Sequence, residues 1–269
     1  MNRVSMLRRL GCRLRHGGTA WVWAALCDRL RPIRPACRSQ VKAAFAGHRG
    51  LEIGGPSSIF RPRGALPVYD WADGIDNMNF SAETAWEHGL RDGGPYRFHR
   101  RKPAGRQWIR EAEDLSGFAD GGYEFVMSSH CLEHVANPLG ALREWWRVTR
   151  AGGWLLVILP DPTRTFDHRR PVTALDHLRK DWARSTPEDD RTHFAEVIAL
   201  HDLALDPDAG DPAAFRSRVD QNAAHRCVHH HVFDGALLGA ALRETGWTPL
   251  AVERFAPLHL AALARKEIP

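Results

Sequence analysis

From Arg49 onward the apolar positions fall into short runs separated by helix-length stretches, the alternation expected of a parallel α/β sheet. RGLEIGG (49–55) reads as a first strand running into a tight turn, and ALPVYD (65–70) as a second strand ending in a carboxylate. RQWIREAEDL (106–115) contains a third, shorter one. YEFVMSSH (123–130) and WLLVILP (154–160) are apolar over most of their length, as strands covered on both faces are. Between them, NPLGALREWWRVTRAGG predicts a crossover helix with Asn137 as N-cap, Pro138 in the first position and Gly152-Gly153 as its stop. Near the end, Asp234 opens a helix through Glu244, Gly246 breaks it, and WTPLAVERF (247–255) and HLAALA (259–264) read as strands. Too few residues separate those two for a crossover, so they are expected to be antiparallel.

The segment 161–229 breaks this rhythm with FDHRRP, STPEDD and DPDAGDP. It is too long for a plain connection and predicts a partly helical insertion over the carboxyl ends of the strands, where ligands bind in doubly wound sheets. The expected organisation is a basic, helical N-terminal arm (1–46), a sheet domain built from 47–160 and 230–269, and an acceptor-binding cap (161–229).

Composition adds limits. Residues 1–50 carry eleven Lys/Arg against one acid, Asp28, although the whole chain is only +5. Such an arm suits a solvated helix face or contact with an anionic membrane surface, and its Arg-rich, acid-poor character resembles an organelle transit segment. The five cysteines are widely spaced with no C-x-x-C pair, which argues against a disulfide framework and for a reducing compartment. No apolar run reaches the roughly 20 residues of a membrane span. A cytoplasmic enzyme, with the arm allowing peripheral membrane contact, is the expectation.

The candidate chemistry begins at the first turn, where Gly54-Gly55 follows Glu52. Glycine there lets backbone approach a ligand, yet the full G-x-G-x-x-G of nicotinamide enzymes is missing. Asp70, with Asp76 as its substitute, is placed to accept ribose hydroxyls at the end of the second predicted strand.

Residues 111–162, EAEDLSGFADGGYEFVMSSHCLEHVANPLGALREWWRVTRAGGWLLVILPDP, are more specific. An acid-Ala pair, an apolar strand, S-S-x-x-L-E-H, a helix with R-E-x-x-R-V and a G-G turn before another strand resemble the second half of a class I SAM-dependent methyltransferase domain of the type 11-like family. The resemblance implies a Rossmann-like class I methyltransferase fold: α/β, a mostly parallel seven-stranded sheet with an antiparallel last strand. It implies S-adenosyl-L-methionine as cofactor, with Glu52, Gly54, Gly55 and Pro56 in the first motif and Asp70 on the ribose. Glu111 and Ala112 would lie beside the adenine, and Ser129 and His130 would face the sulfonium and the acceptor. Pro56-Ser57 in place of further glycines, and Glu111 in place of the commoner aspartate, depart from the family pattern.

Methyl transfer is an in-line displacement that needs orientation and, for a hydroxyl acceptor, a base. His130 is best placed for that role, with Asp161 and His231 as further catalytic candidates, the latter reaching in from the insertion. His134 reads as a structural contact, and Arg169 and Arg170 as loop-holding residues more than an anion grip. No metal is required, but His229 and His231 with His193 or Asp167 form a permissive ligand pattern. The expected acceptor is a small molecule, sugar or glycan, with O-methylation favoured. Nucleic acid is disfavoured by the lack of a stacking module or a basic stripe near the site. A non-catalytic SAM-fold scaffold is the competing reading.

Overall fold

The structure, a computed structural model, describes residues 34–84, 87–206 and 208–268. The first turn of chain in view, α1 (Arg38–Phe45), is tied to the sheet edge by the Glu253 carboxylate, which accepts from the Ala36 and Cys37 amides at 2.9 and 2.6 Å. The rest of the basic arm lies outside the described residues. Among the described residues, no helix is long and apolar enough to cross a membrane.

Among the described residues, eight strands make one sheet in the order β3-β4-β2-β1-β5-β6-β8-β7. They are β1 (Arg49–Ile53), β2 (Gly74–Asn79), β3 (Pro95–Tyr96), β4 (Gly105–Ile109), β5 (Tyr123–Ser129), β6 (Thr149–Pro160), β7 (Trp247–Phe255) and β8 (His259–Lys266). Strands β4, β2, β1, β5 and β6 run parallel. β8 is antiparallel to both β6 and β7 and lies between them, as the short 255–259 connection requires. The two-residue β3 adds an antiparallel edge, making eight strands where seven were expected.

Successive side chains of a strand point to opposite faces, and both faces are covered. Leu155, Val157 and Leu159 pack with α3 (Pro138–Val148) and α8 (Gly235–Glu244) through Leu142, Trp145, Leu238 and Leu242. Leu156 and Ile158 face the other way, into a core with Val41, Phe45, Phe60 and Leu66. The helix caps form as expected: Asn137 accepts from the Gly140 amide at 3.0 Å and Asp234 from the Leu237 amide at 2.8 Å. β6 begins at Thr149, five residues before the apolar run, through an irregular register against β5.

The second strand differs from expectation. Residues 65–70 are not a strand: Val68–Trp71 is one helical turn, α2, and the strand is Gly74–Asn79. The apolar character of Ala65, Leu66, Val68 and Tyr69 comes from packing against one sheet face. GIDNMN hides its strand character because its buried polar residues, Asn77 and Asn79, serve the neighbouring loop instead of alternating with apolar ones.

Within 161–229 lie α4 (Leu175–Arg184), α5 (Phe194–Leu200), α6 (Pro212–Asp220) and α7 (Asn222–His225). α5 and α6 share a small apolar cluster of Phe194, Val197, Phe215 and Val219 with Val228, whereas Leu178 of α4 packs into the sheet-side core. Buried Arg170 holds the segment together, donating to Asp167, Glu196 and the carbonyl oxygens of His229 and His230. Arg169 pairs with Asp202 at 2.8 Å.

Candidate functional site

Chain order along the sheet reverses between β1 and β5, and a cleft opens there at the carboxyl ends of the strands. It encloses about 460 Å³ of space open to solvent on one side. Its walls are Ile53-Gly54 after β1, Met78-Asn79-Phe80 after β2, Arg110-Glu111-Ala112 after β4, and His130-Cys131 with His134-Val135 after β5. Glu188 and Arg226 reach over it from the insertion.

The turn after β1 is built from both sides. Gly54 takes φ +81°, a left-handed conformation natural to glycine, and its α-carbon faces Cys131. Gly55 is clasped by β2: its amide donates to Asn77 Oδ1 at 3.1 Å, and its carbonyl accepts from Asn77 and Asn79 Nδ2 at 3.2 and 2.9 Å. A Cβ on Gly55 would collide with the Glu52 carboxyl and stand 2.6 Å from Asn77 Oδ1. Asn79 Oδ1 is left buried at the strand end with no hydrogen-bond partner.

Glu52 itself faces away from the cleft. Fully buried, its carboxyl accepts from Tyr96 Oη at 2.6 Å, Tyr69 Oη at 2.8 Å and the Ser57 amide at 3.0 Å. Burial pushes its pKa up against these donors. It buttresses the turn instead of lining it, and Pro56, joined to Gly55 by a cis peptide, is likewise outside the cleft wall.

Asp70 is not at a strand end. It sits on α2 with 40% of its side chain exposed, 3.2 Å from His99 Nε2. Asp76 is on β2, but its carboxylate accepts from the Arg106 amide at 2.8 Å and Tyr123 Oη at 3.0 Å. The strand-end position belongs to Asn79, which sequence reasoning missed because the strand itself was displaced.

Glu111 and Ala112 do line the cleft. Trp145 Nε1 on α3 donates to the Ala112 carbonyl at 2.8 Å and pins that loop. Glu111 accepts from Arg226 Nη2 at 2.8 Å, and Arg226 also pairs with Glu188 and lies over the Phe80 ring. This clasp joins the insertion to the sheet domain across the cleft mouth. The sequence offered no sign of it, since its three charged members lie 115 residues apart at the extremes.

On the floor, the β5 end turns at His130, whose φ of 52° swings the ring into the cleft. His130 Nε2 shares a hydrogen bond with His259 Nδ1 at 3.0 Å, and Nδ1 faces Glu133 Oε1 at 3.6 Å. The surrounding protein pushes the pKa of His130 down to about 3, chiefly by desolvation and then by His259. Behind it lies Glu133, buried, with neither carboxyl oxygen hydrogen-bonded. Desolvation raises its pKa to about 7, partly opposed by His229. His134 Nδ1 donates to the Val228 carbonyl, 3.0 Å away; Nδ1 therefore carries the ring's proton, and Nε2 faces Glu133 at 3.9 Å. His229 is paired through Nδ1 with the Asp167 carboxylate. Burial opposes charge on His229, but Asp167 outweighs it and raises its pKa.

The other candidates are elsewhere. Ser129 is buried in β5 outside the cleft wall. Asp161 is buried and caps a short turn, accepting from Thr163 N and Oγ1 at 3.1 and 2.8 Å. His231, just past the insertion, is buried between the Val135 carbonyl and Asp181, both at 3.2 Å. Of the expected site residues the fold therefore gathers Gly54, Glu111, Ala112 and His130 around one cleft, with Gly55 directly behind it.

Residues 97–157 match the family model described as a methyltransferase domain. No curated protein matches the chain. Among solved structures it is similar to an S-adenosylmethionine dependent methyltransferase from Mesorhizobium loti, at 17% identity and TM-score 0.49, covering 86% of this chain and 98% of that one. It is also similar to a SAM-dependent methyltransferase from Methanosarcina mazei, at 14% identity and TM-score 0.47, covering 83% and 94%. A third, from Aquifex aeolicus, aligns at 12% identity and TM-score 0.45 over 89% and 93%. The matched stretch supplies β4, β5, α3 and most of β6, so this part of the chain is similar to a methyltransferase domain.

Proposed function

We propose that this enzyme moves the methyl group of S-adenosylmethionine to a hydroxyl of a small-molecule, sugar or glycan acceptor. The observation that carries the hydroxyl reading is Glu133, a buried carboxyl with no hydrogen bond and a pKa near 7, set behind His130 on the cleft floor. A neutral hydroxyl must lose a proton as it is methylated, and a base matched to neutral pH serves that need.

The cleft fits the cofactor through an unanswered acceptor. Asn79 Oδ1 is buried without a partner at the end of β2, where a ribose hydroxyl would donate to it. Gly54 would let the chain come close to the methionine part, and the Arg110–Ala112 loop would flank the adenine, with Met78, Phe80 and Val135 as apolar walls. When bound, the cofactor supplies an electrophilic methyl on a sulfonium, a good leaving group.

The chain's own residues orient and deprotonate the acceptor. His130 stays neutral because its pKa is pushed far below 7, so as Nε2, shared with His259 at rest, takes the acceptor's proton, Nδ1 gives up its own toward Glu133. Glu133, 3.6 Å away, is the group able to keep that proton. The clasp of Arg226 with Glu111 and Glu188 closes the mouth and limits water. The basic first fifty residues suit peripheral contact with an anionic membrane, which would favour a lipid-linked glycan acceptor.

A labelled-methyl assay against fractionated cell extract tests this reading. Label is expected in a small-molecule or glycan fraction as a base-stable ether. Label confined to protein or nucleic acid would overturn it.

A further inference from the structure

Away from the cleft, the insertion brings four metal-ligating side chains from three separate segments to one point. His177 and Asp181 stand one turn apart on α4, His193 precedes α5, and His231 lies in the extended stretch before α8. His177 Nε2 is 3.0 Å from His193 Nε2 and 3.2 Å from Asp181 Oδ2, and His231 Nε2 is 3.2 Å from the same oxygen. The ligand atoms of the three histidines all lie within 4.8 Å of one another.

The three shortest of these separations, 3.0–3.2 Å, have the size of a tetrahedron's edges. Four N/O ligands at about 2.0–2.1 Å from one zinc ion stand roughly 3.3 Å apart. With the rings neutral and the carboxylate ionised, protons leave the same set unsatisfied. His231 Nδ1 faces the Val135 carbonyl at 3.2 Å and must carry that ring's proton, so in the neutral ring Nε2 aims a bare lone pair at the Asp181 carboxylate. His177 and His193 meet nitrogen to nitrogen, so at most one of the pair can donate. Lone pairs outnumber the protons between them, the arrangement a divalent cation resolves.

The outer contacts are those of a prepared site. Thr186 Oγ1 donates to Asp181 Oδ1 at 3.1 Å, leaving Oδ2 for the centre, and the Val135 carbonyl fixes the tautomer and ring plane of His231.

We propose that His177 Nε2, His193 Nε2, His231 Nε2 and Asp181 Oδ2 bind one divalent transition-metal ion, with zinc the best match. Four protein ligands close the coordination sphere, so the ion is structural. It cross-links α4, the start of α5 and the segment leading to α8. The loop between α4 and α5 carries Glu188, which accepts from the Ala136 amide at 3.0 Å and holds Arg226. The ion thus fixes the piece of the insertion that reaches the cleft. The second histidine cluster, Glu133 with His134 and His229, belongs to the cleft floor, where the Glu133 carboxylate and His134 Nε2 stand 3.9 Å apart.

The test uses the full chain purified without a polyhistidine tag. Elemental analysis is expected to find about one zinc per chain, and chelator-stripped protein to take up about one cobalt(II) with the intense visible bands of tetrahedral coordination. The wild-type cobalt titration needs no variant to fold. His193→Ala and Asp181→Asn should each lose the metal, whereas His134→Ala should retain it. Wild-type protein that binds neither zinc nor cobalt would overturn the proposal. So would stoichiometric metal that survives in His193→Ala but disappears in His134→Ala.

Discussion

Glu133 Oε1 and His130 Nδ1 face each other at 3.6 Å beneath the cleft, too far for a hydrogen bond, and neither carboxyl oxygen of Glu133 is hydrogen-bonded. Leaving a buried carboxyl unpaired is costly for stability, and the cost falls on the charged form. A group held in that state near neutral pH is suited to taking up a proton. Glu133→Gln should therefore lower methyl transfer about 10²-fold while leaving cofactor affinity within a factor of about two. The wild-type rate should rise as pH climbs through about 7, because the ionised carboxylate is the active form, and the variant should lack that limb. A pH–rate profile of both proteins checks it.

Asp70 and Asn79 separate two placements of the ribose. Asp70→Ala is expected to leave S-adenosylmethionine binding unchanged, since its carboxylate lies on α2 outside the cleft wall and is paired with His99. Asn79→Ala should weaken binding about tenfold, the value of roughly one buried hydrogen bond and its disturbed neighbours. Equilibrium titration of the two variants decides between them.

Gly55→Ala puts a methyl group against Glu52 and Asn77, neither of which has room to retreat. A loss of about 1–3 kcal/mol of stability is expected, with cofactor binding reduced more than in Asn79→Ala. Chemical denaturation and titration of the same sample check both parts.

His130 and His259 stay neutral in the fold, with pKa values lowered to about 3 and about 4 by desolvation, whereas in the unfolded chain they protonate near 6.5. The unfolded state binds more protons between those limits, so stability falls as pH drops from about 6.5 toward 4. His259→Gln removes one such group. The stability advantage of wild type over this variant should shrink steadily across that window, as denaturation midpoints at several pH values would show.

Much of the sheet was legible because the residues that form it do one job each. β5 and β6 are apolar since both faces are covered, and the 247–264 pattern left antiparallel pairing as its sole outcome. β2 was misread because Asn77 and Asn79 spend their side chains on Gly55, which erases the alternation a strand normally shows. The apolar run at 65–69 mimicked a strand because packing on a sheet face demands the same residue types. Gly54, Glu111, Ala112 and His130 come together around the cleft because each sits next to a strand end, a position the sequence marks. Glu133 was overlooked because a carboxylate in an L-E-H run shows nothing of its burial. The clasp of Arg226 and the meeting of His177, His193 and His231 depend on how the insertion folds back, and residue spacing does not record that.

The central claim, that the cleft between β1 and β5 holds S-adenosylmethionine, is tested most directly by calorimetric titration of the full chain with the cofactor and its demethylated product. Saturable one-to-one binding is predicted for wild type and Asp70→Ala, with strong weakening in Gly55→Ala. Absence of any binding at millimolar ligand by a folded wild-type protein would contradict the account and favour a non-catalytic scaffold on the same fold.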